Sequence, residues 1–265
     1  MIRIKEPKAS LDFYVNVLGM SLIEHFEFPA YKFSLYFVGY LPAGMTLADL
    51  PPVGQRHEFA STLPGLIELT HNHGTEDKEG PAYHPGNAAD GTECGFGHIG
   101  VTVPSVYAAC ARFKALGVAF KKSPNSGGMK GLAFIKDPDG YAIEVVRQAH
   151  PMAIEEPVDC CGFGEGSTTG SLPDAASPAP YATEGAGGAL MDVSRYYAAA
   201  PAPDTAGFVM QQTMVRIKDP KVSLPFYTEV LGMTVVQALH FKQWGFSIYF
   251  AAYLPKVCAH HPSNR

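Results

Sequence analysis

The chain has 265 residues, a formal net charge of −5, 46% hydrophobic residues and 17% charged ones. This describes a soluble globular protein of one large domain or two modest ones. The acidic balance argues against nucleic acid and anionic membrane as partners, and no apolar run approaches the roughly 18–20 residues of a membrane helix.

The opening residues, Met1-Ile-Arg-Ile-Lys-Glu, lack the apolar stretch of a signal peptide. Five cysteines, with Cys160 and Cys161 adjacent, form no CxxC and no even framework, so the expected location is a reducing cytosol.

Leu11, Phe13, Tyr14, Val17 and Leu18 fall at helical spacing, with Ser10 as the expected cap and Gly19 as the stop. Met20 to Phe28 and Tyr31 to Tyr40 read as two strands, and 43–63 as a loop rich in Pro, Gly and Ala. A strand around Glu68 leads into the polar loop Thr70-His-Asn-His-Gly. Next, Ile99, Val101 and Val103 alternate with Gly100 and Thr102, a period-two strand headed by His98. Ser105 caps a second expected helix that stops at Gly117. Strands over 118–121, 131–136 and 141–146 follow, the last entered through Asp137-Pro-Asp-Gly140. Residues 1–147 thus hold two units of one order: strand, helix, three strands, with the first leading strand nearly absent.

Residues 148–206 are rich in Pro, Gly, Ala, Ser and Thr and read as a flexible linker. The chain then repeats itself. Residues 216–255 restate 3–42 without gaps at about half of the positions, which marks a duplication. This second copy, 207–255, adds a leading strand containing Gln211-Gln212-Thr-Met214 and stops before any counterpart of Glu68. Residues 256–265 form a tail.

Glu68 and Glu144 each sit inside an apolar strand. An ionised carboxylate buried without a partner is costly; two carboxylates and a histidine on sheet faces point to a shared metal. His71, His73 and His84 lie in a polar loop and are expected to face solvent.

Several motifs agree in order and spacing: Gln-Gln-Thr-Met-x-Arg-x-Lys-Asp-Pro-Lys, Glu-Leu-Thr-His-Asn-x-Gly-Thr-Glu, Gly-Phe-Gly-His-Ile-Gly, Met-Lys-Gly-Leu-Ala-Phe and Asp-Pro-Asp-Gly-Tyr-x-Ile-Glu. Together they resemble the glyoxalase I (lactoylglutathione lyase) family of the vicinal-oxygen-chelate superfamily, over 1–147 and 207–255. The resemblance implies an α+β fold of paired βαβββ modules, with mixed sheets and helices on the outer face. It implies a divalent metal, zinc or else nickel, held by Gln212, Glu68, His98 and Glu144. It implies conversion of the methylglyoxal–glutathione hemithioacetal to lactoylglutathione through an enediolate, with Glu144 and Glu68 as the candidate bases. Arg3, Asn72 and Arg216 fall on its glutathione-binding positions, and Lys122, Met129 and Lys130 on the segment that folds over substrate. Two departures stand out. Cys94 replaces an arginine before Gly-Phe-Gly-His, and Gly128 replaces a lysine before Met-Lys-Gly. Both weaken the expected grip on glutathione carboxylates.

Three other readings compete: a ring-cleaving iron dioxygenase, which needs two histidines and one carboxylate; a metal-free module that binds a small molecule; and a truncated relative of low activity. For site assembly, one chain can supply Gln212, His98 and Glu144, and a homodimer can bring Glu68 of one copy beside His98 and Glu144 of the other; the dimer of residues 1–147 is expected, with Gln212 secondary.

Overall fold

The computed structural model describes residues 1–87, 91–148 and 191–254, in two compact units, Met1–Val215 and Arg216–Arg265. The first unit begins with β1 (Ile2–Ile4), α1 (Pro7–Leu11, continued by a π-turn over Asp12–Val17), β2 (Ser21–Phe28), β3 (Phe33–Gly39), α2 (His57–Thr62) and β4 (Ile67–Asn72). There follow β5 (Phe96–Val103), α3 (Val106–Ala115), β6 (Phe120–Lys122), β7 (Ala133–Lys136), β8 (Ala142–Arg147), α4 (Ser194–Tyr197) and β9 (Val209–Val215). One sheet has the order β1-β4-β3-β2 and the other β6-β7-β8-β5-β9. β1 runs parallel to β4, and β5 parallel to β8. The two modules therefore share one α+β topology, βαβββ, and β9 extends the second sheet antiparallel to β5.

Alternation sets the faces of that second sheet. Ile99, Val101, Val103, Ile135, Ile143 and Val145 are buried, whereas His98, Thr102, Phe134 and Glu144 between them are half-buried. The buried face joins one core with Phe13 and Leu18 after β1 and with Val106, Cys110 and Phe113 of α3. Arg112 ties the two helical segments together, donating to Val17 O at 2.6 Å and Asn16 O at 2.9 Å.

Local details depart from expectation in three places. Helix α1 is capped by Glu6, not Ser10: the Glu6 carboxylate accepts from Lys8 N (2.8 Å) and Ala9 N (2.6 Å). A carboxylate can serve two orphan amides and also complements the positive helix end. Ser10 is buried instead and reaches Asp139 at 3.4 Å. The stretch 43–63 contains α2, whose Ala60 packs with Leu63 and Ile23 in a small second core. Finally, of the linker expected over 148–206, residues 149–190 lie outside the described residues, while in 191–206 Val193, Tyr196 and Thr205 are buried among mostly exposed neighbours. Tyr196 is buried and donates to Asp12 at 2.8 Å, Tyr197 meets His25 Nδ1 at 2.7 Å, and Asp204 pairs with Arg112 at 2.7 Å. Their aromatic area outweighs the small-residue composition around them. The division between units falls after β9 and not before it.

The second unit holds α5 (Pro220–Pro225, continued by a π-turn over Phe226–Val230) and the antiparallel hairpin β10 (Thr234–Phe241) and β11 (Phe246–Ala252). It repeats α1, β2 and β3.

One buried acidic pair joins the two modules of the first unit. Asp137 accepts from Tyr14 Oη (2.9 Å), Tyr141 N (2.8 Å) and Asp139 N (3.0 Å). Burial, with Asp139 adding repulsion, pushes the Asp137 carboxyl up to about 7; burial raises Asp139 to about 6. A raised folded-state pKa means that the folded chain holds a proton which the unfolded chain has lost. Stability is then full below the usual carboxylate range and is lost as pH rises through about 7. We expect thermal scans to show the melting temperature falling from pH 5 to about 8, and Asp137→Asn, whose oxygen can keep the two backbone hydrogen bonds without the charge, to flatten that fall.

Candidate functional site

The half-buried face of the second sheet carries one row of paired residues: Lys122 on β6, Phe134 on β7, Glu144 on β8, Gly100 on β5 and Gln212 on β9. His98 lies two residues from Gly100 on β5, so its side chain shares this face. Three polar side chains converge here. Gln212 Nε2 donates to Glu144 Oε2 at 2.8 Å, and His98 Nε2 stands 3.3 Å from the same oxygen. His98 and Glu144 are 13% and 14% exposed, dry enough to need partners. The rings of Phe134 and His98 meet edge to face, with centroids 5.2 Å apart.

This donor set fits a divalent cation. His98 Nε2 is buried and, among the described residues, has no hydrogen-bond partner; the nearby carboxylate is close but not aligned with it. An imidazole nitrogen, a carboxylate and a side-chain amide that meet in one place are ligand types for zinc and its neighbours in the first transition row, with the Gln212 amide, which now presents Nε2, turned over to offer its oxygen. No group of three His, Cys, Asp or Glu side chains among the described residues is placed to hold a metal; the third donor here is an amide.

Gln212, and not Glu68, is therefore the residue brought to His98 and Glu144 within one chain. Glu68 lies on β4 in the other sheet, where it accepts from Thr70 Oγ1 at 3.0 Å. The pairing between two copies is a different arrangement from this one, in which β9 fills the edge of β5 from within the chain. No two-histidine iron site forms among the described residues either: His71 is bonded to Glu76 at 2.8 Å and His73 to Ser34 at 2.8 Å.

Arg3 is exposed on β1, opposite Thr70. Asn72 ends β4 and donates to Tyr83 Oη at 3.0 Å; Glu68, Thr70 and Asn72 fall at two-residue steps and share one sheet face. Lys122 donates to Leu132 O at 2.7 Å and Ser123 O at 3.3 Å, and burial lowers its pKa to about 8 against the pull of Cys110 and Glu144. Met129 and Lys130 are half-buried in the turn before β7, and Arg216 opens the second unit. Phe134 is the one neighbour of the cluster that sequence reading missed. Its place in the row, one strand from Glu144, was the available signal.

The Glyoxalase/Bleomycin resistance protein/Dioxygenase superfamily profile matches residues 1–145. The lactoylglutathione lyase of Pseudomonas putida is 49% identical over 147 residues, covering 56% of this chain and 82% of that protein. That of Schizosaccharomyces pombe is 34% identical over 253 residues, covering 96% of this chain and 64% of the relative. The crystal structure of glyoxalase I from Zea mays matches with a TM-score of 0.56 at 20% identity, over 95% of this chain and 60% of that one, a likeness of fold. The chain thus spans just under two thirds of the fission-yeast and maize proteins. No helix among the described residues is long and apolar enough to cross a membrane. With the profile, the relatives and the paired βαβββ modules in agreement, the chain belongs to the glyoxalase superfamily.

Proposed function

We propose that the protein is a lactoylglutathione lyase, isomerising the hemithioacetal of methylglyoxal and glutathione to S-lactoylglutathione in the cytosol. The observation that carries this reading is the meeting of Gln212, Glu144 and His98 on one sheet face. These three would hold a divalent cation, zinc or else nickel, and leave a position for substrate oxygen or water. When bound, the cation supplies positive charge beside oxygens that become anionic during the reaction.

The chain's own part is proton transfer. Glu144 removes the proton from the carbon that bears the hydroxyl and the sulfur, giving an enediolate, and returns a proton to the neighbouring carbon. The hydroxyl proton passes to the former ketone oxygen, so the hydroxyl carbon becomes the thioester carbonyl, the former ketone becomes the hydroxyl, and no redox partner is needed. The half-buried setting of Glu144 limits competition from water. Lys122, Met129 and Lys130 are the proposed cover over the substrate at this site; Arg3 and Asn72 are the proposed glutathione contacts on the face that carries Glu68, and Arg216 repeats the Arg3 position in the second copy. Glu68 belongs to the other module face, where a second site of the same kind would draw on it.

Three outcomes are expected. Glu144→Gln keeps the fold and loses about 10²–10⁴ in kcat, followed by thioester formation; a near-normal rate would remove Glu144 as the base. In equilibrium dialysis against zinc, Gln212→Ala weakens binding by about tenfold or more while Glu68→Ala leaves this site unchanged, since even outer partners of a metal site are worth about 10–100-fold. Cys94→Arg lowers KM by restoring a bidentate carboxylate contact; an unchanged KM would show that position 94 does not face the substrate.

A further inference from the structure

We propose that Gly100 is a positioning residue: the missing side chain there is what allows Gln212 to lie across β5 and reach Glu144. This rests on the metal-site reading above and adds a residue that touches neither substrate nor metal.

Gly100 is the residue between them. It pairs with Glu144 on one side and with Gln212 on the other. Glu144 and Gln212 therefore project from strands two apart, with backbones about 9–10 Å from each other at the usual strand spacing. Their side chains nevertheless meet at 2.8 Å, so at least one must lean inward over Gly100. It is Gln212 that does so. A Cβ built on Gly100 would fall 2.6 Å from Gln212 Cγ, 3.2 Å from its Cδ and 3.3 Å from its Nε2, and these are its three nearest neighbours. The clash would strike the middle of the side chain and not its mobile tip, so a rotation of the amide alone would not relieve it. The backbone agrees: the β5–β9 register shifts between Gly100 and Val101. A shift of this kind re-aims the side chain next to it, and here that side chain is Gln212.

The test is a double-mutant cycle in the full chain with Gly100→Ala, Gln212→Ala and the double variant. For the zinc-loaded protein, dialysis should show Gly100→Ala weakening zinc binding by about the same factor as Gln212→Ala, about tenfold or more. The double variant should be no weaker than Gln212→Ala alone, because without the glutamine the new methyl meets nothing. The visible spectrum of the cobalt-substituted Gly100→Ala protein should match that of Gln212→Ala. For the metal-free protein, Gly100→Ala should lower the melting temperature, and adding Gln212→Ala should recover it. Wild-type zinc affinity in Gly100→Ala would overturn the proposal. So would a double variant whose losses multiply, or one that stays as unstable as Gly100→Ala. If the wild-type chain binds no zinc, the metal reading fails, while the metal-free melting cycle still decides the role of Gly100.

Discussion

A carboxylate in the middle of a buried strand constrains the whole second module. Glu144 sits between Ile143 and Val145, both fully buried, on a strand flanked by two others. Its charge cannot be left without partners at low exposure. The partners come from the same side of that strand: His98 from the head of the neighbouring strand and Gln212 from the strand beyond it. That demand makes β9 part of the site and part of the sheet at once. Removing β9 would expose both the edge of β5 and the carboxylate.

The internal repeat shows how far context decides burial. Ala9, Phe13, Val17 and Leu18 are all buried in the first unit. Their counterparts Val222, Phe226, Val230 and Leu231 are exposed in the second, Val222 and Val230 by about 70%. The two segments share a helical pattern, a following π-turn and an acidic cap, Glu6 in one and Asp219 in the other. The local sequence is thus sufficient for the helix and its cap. What the first segment adds is the apposed helix α3 and the docked residues 193–208, which supply apolar area to pack against.

Most of the architecture was legible because it is periodic. The alternation around His98, the helical spacing after Pro104 and the turn at Asp137-Pro-Asp-Gly140 each appear in the structure within a residue or two. His98 and Glu144 were legible for the same reason, as polar exceptions inside apolar strands. Gln212 was harder to rank. A glutamine is neutral, so leaving it unpaired costs far less than leaving a carboxylate, and its role depends on a pairing with β5 across more than a hundred residues of chain. Residues 191–206 read as linker for a compositional reason: Tyr196, Tyr197 and Asp204 are few among many small residues, yet each finds a specific partner. The Glu6 cap was missed because the serine rule is only a preference, and a carboxylate one residue before a proline serves equally well.

The same docked segment bears on how tightly the site is held. Gln212 and Glu144 are 68 residues apart in sequence, so closing that loop onto one hydrogen bond would be entropically unfavourable. The dependence on length is shallow, about 0.6 kcal/mol per doubling, and most of the closure is accomplished before Gln212 is reached. Tyr196 is fixed on Asp12, Asp204 on Arg112, and Phe208 on Phe113 with ring centroids 6.2 Å apart. Only three residues of strand separate Phe208 from Gln212. The last step is then a short, templated pairing along β5, and the glutamine arrives in a set register. A donor held this way loses little freedom when it binds a cation, which is the condition for a neutral amide to serve as a ligand beside a carboxylate and an imidazole.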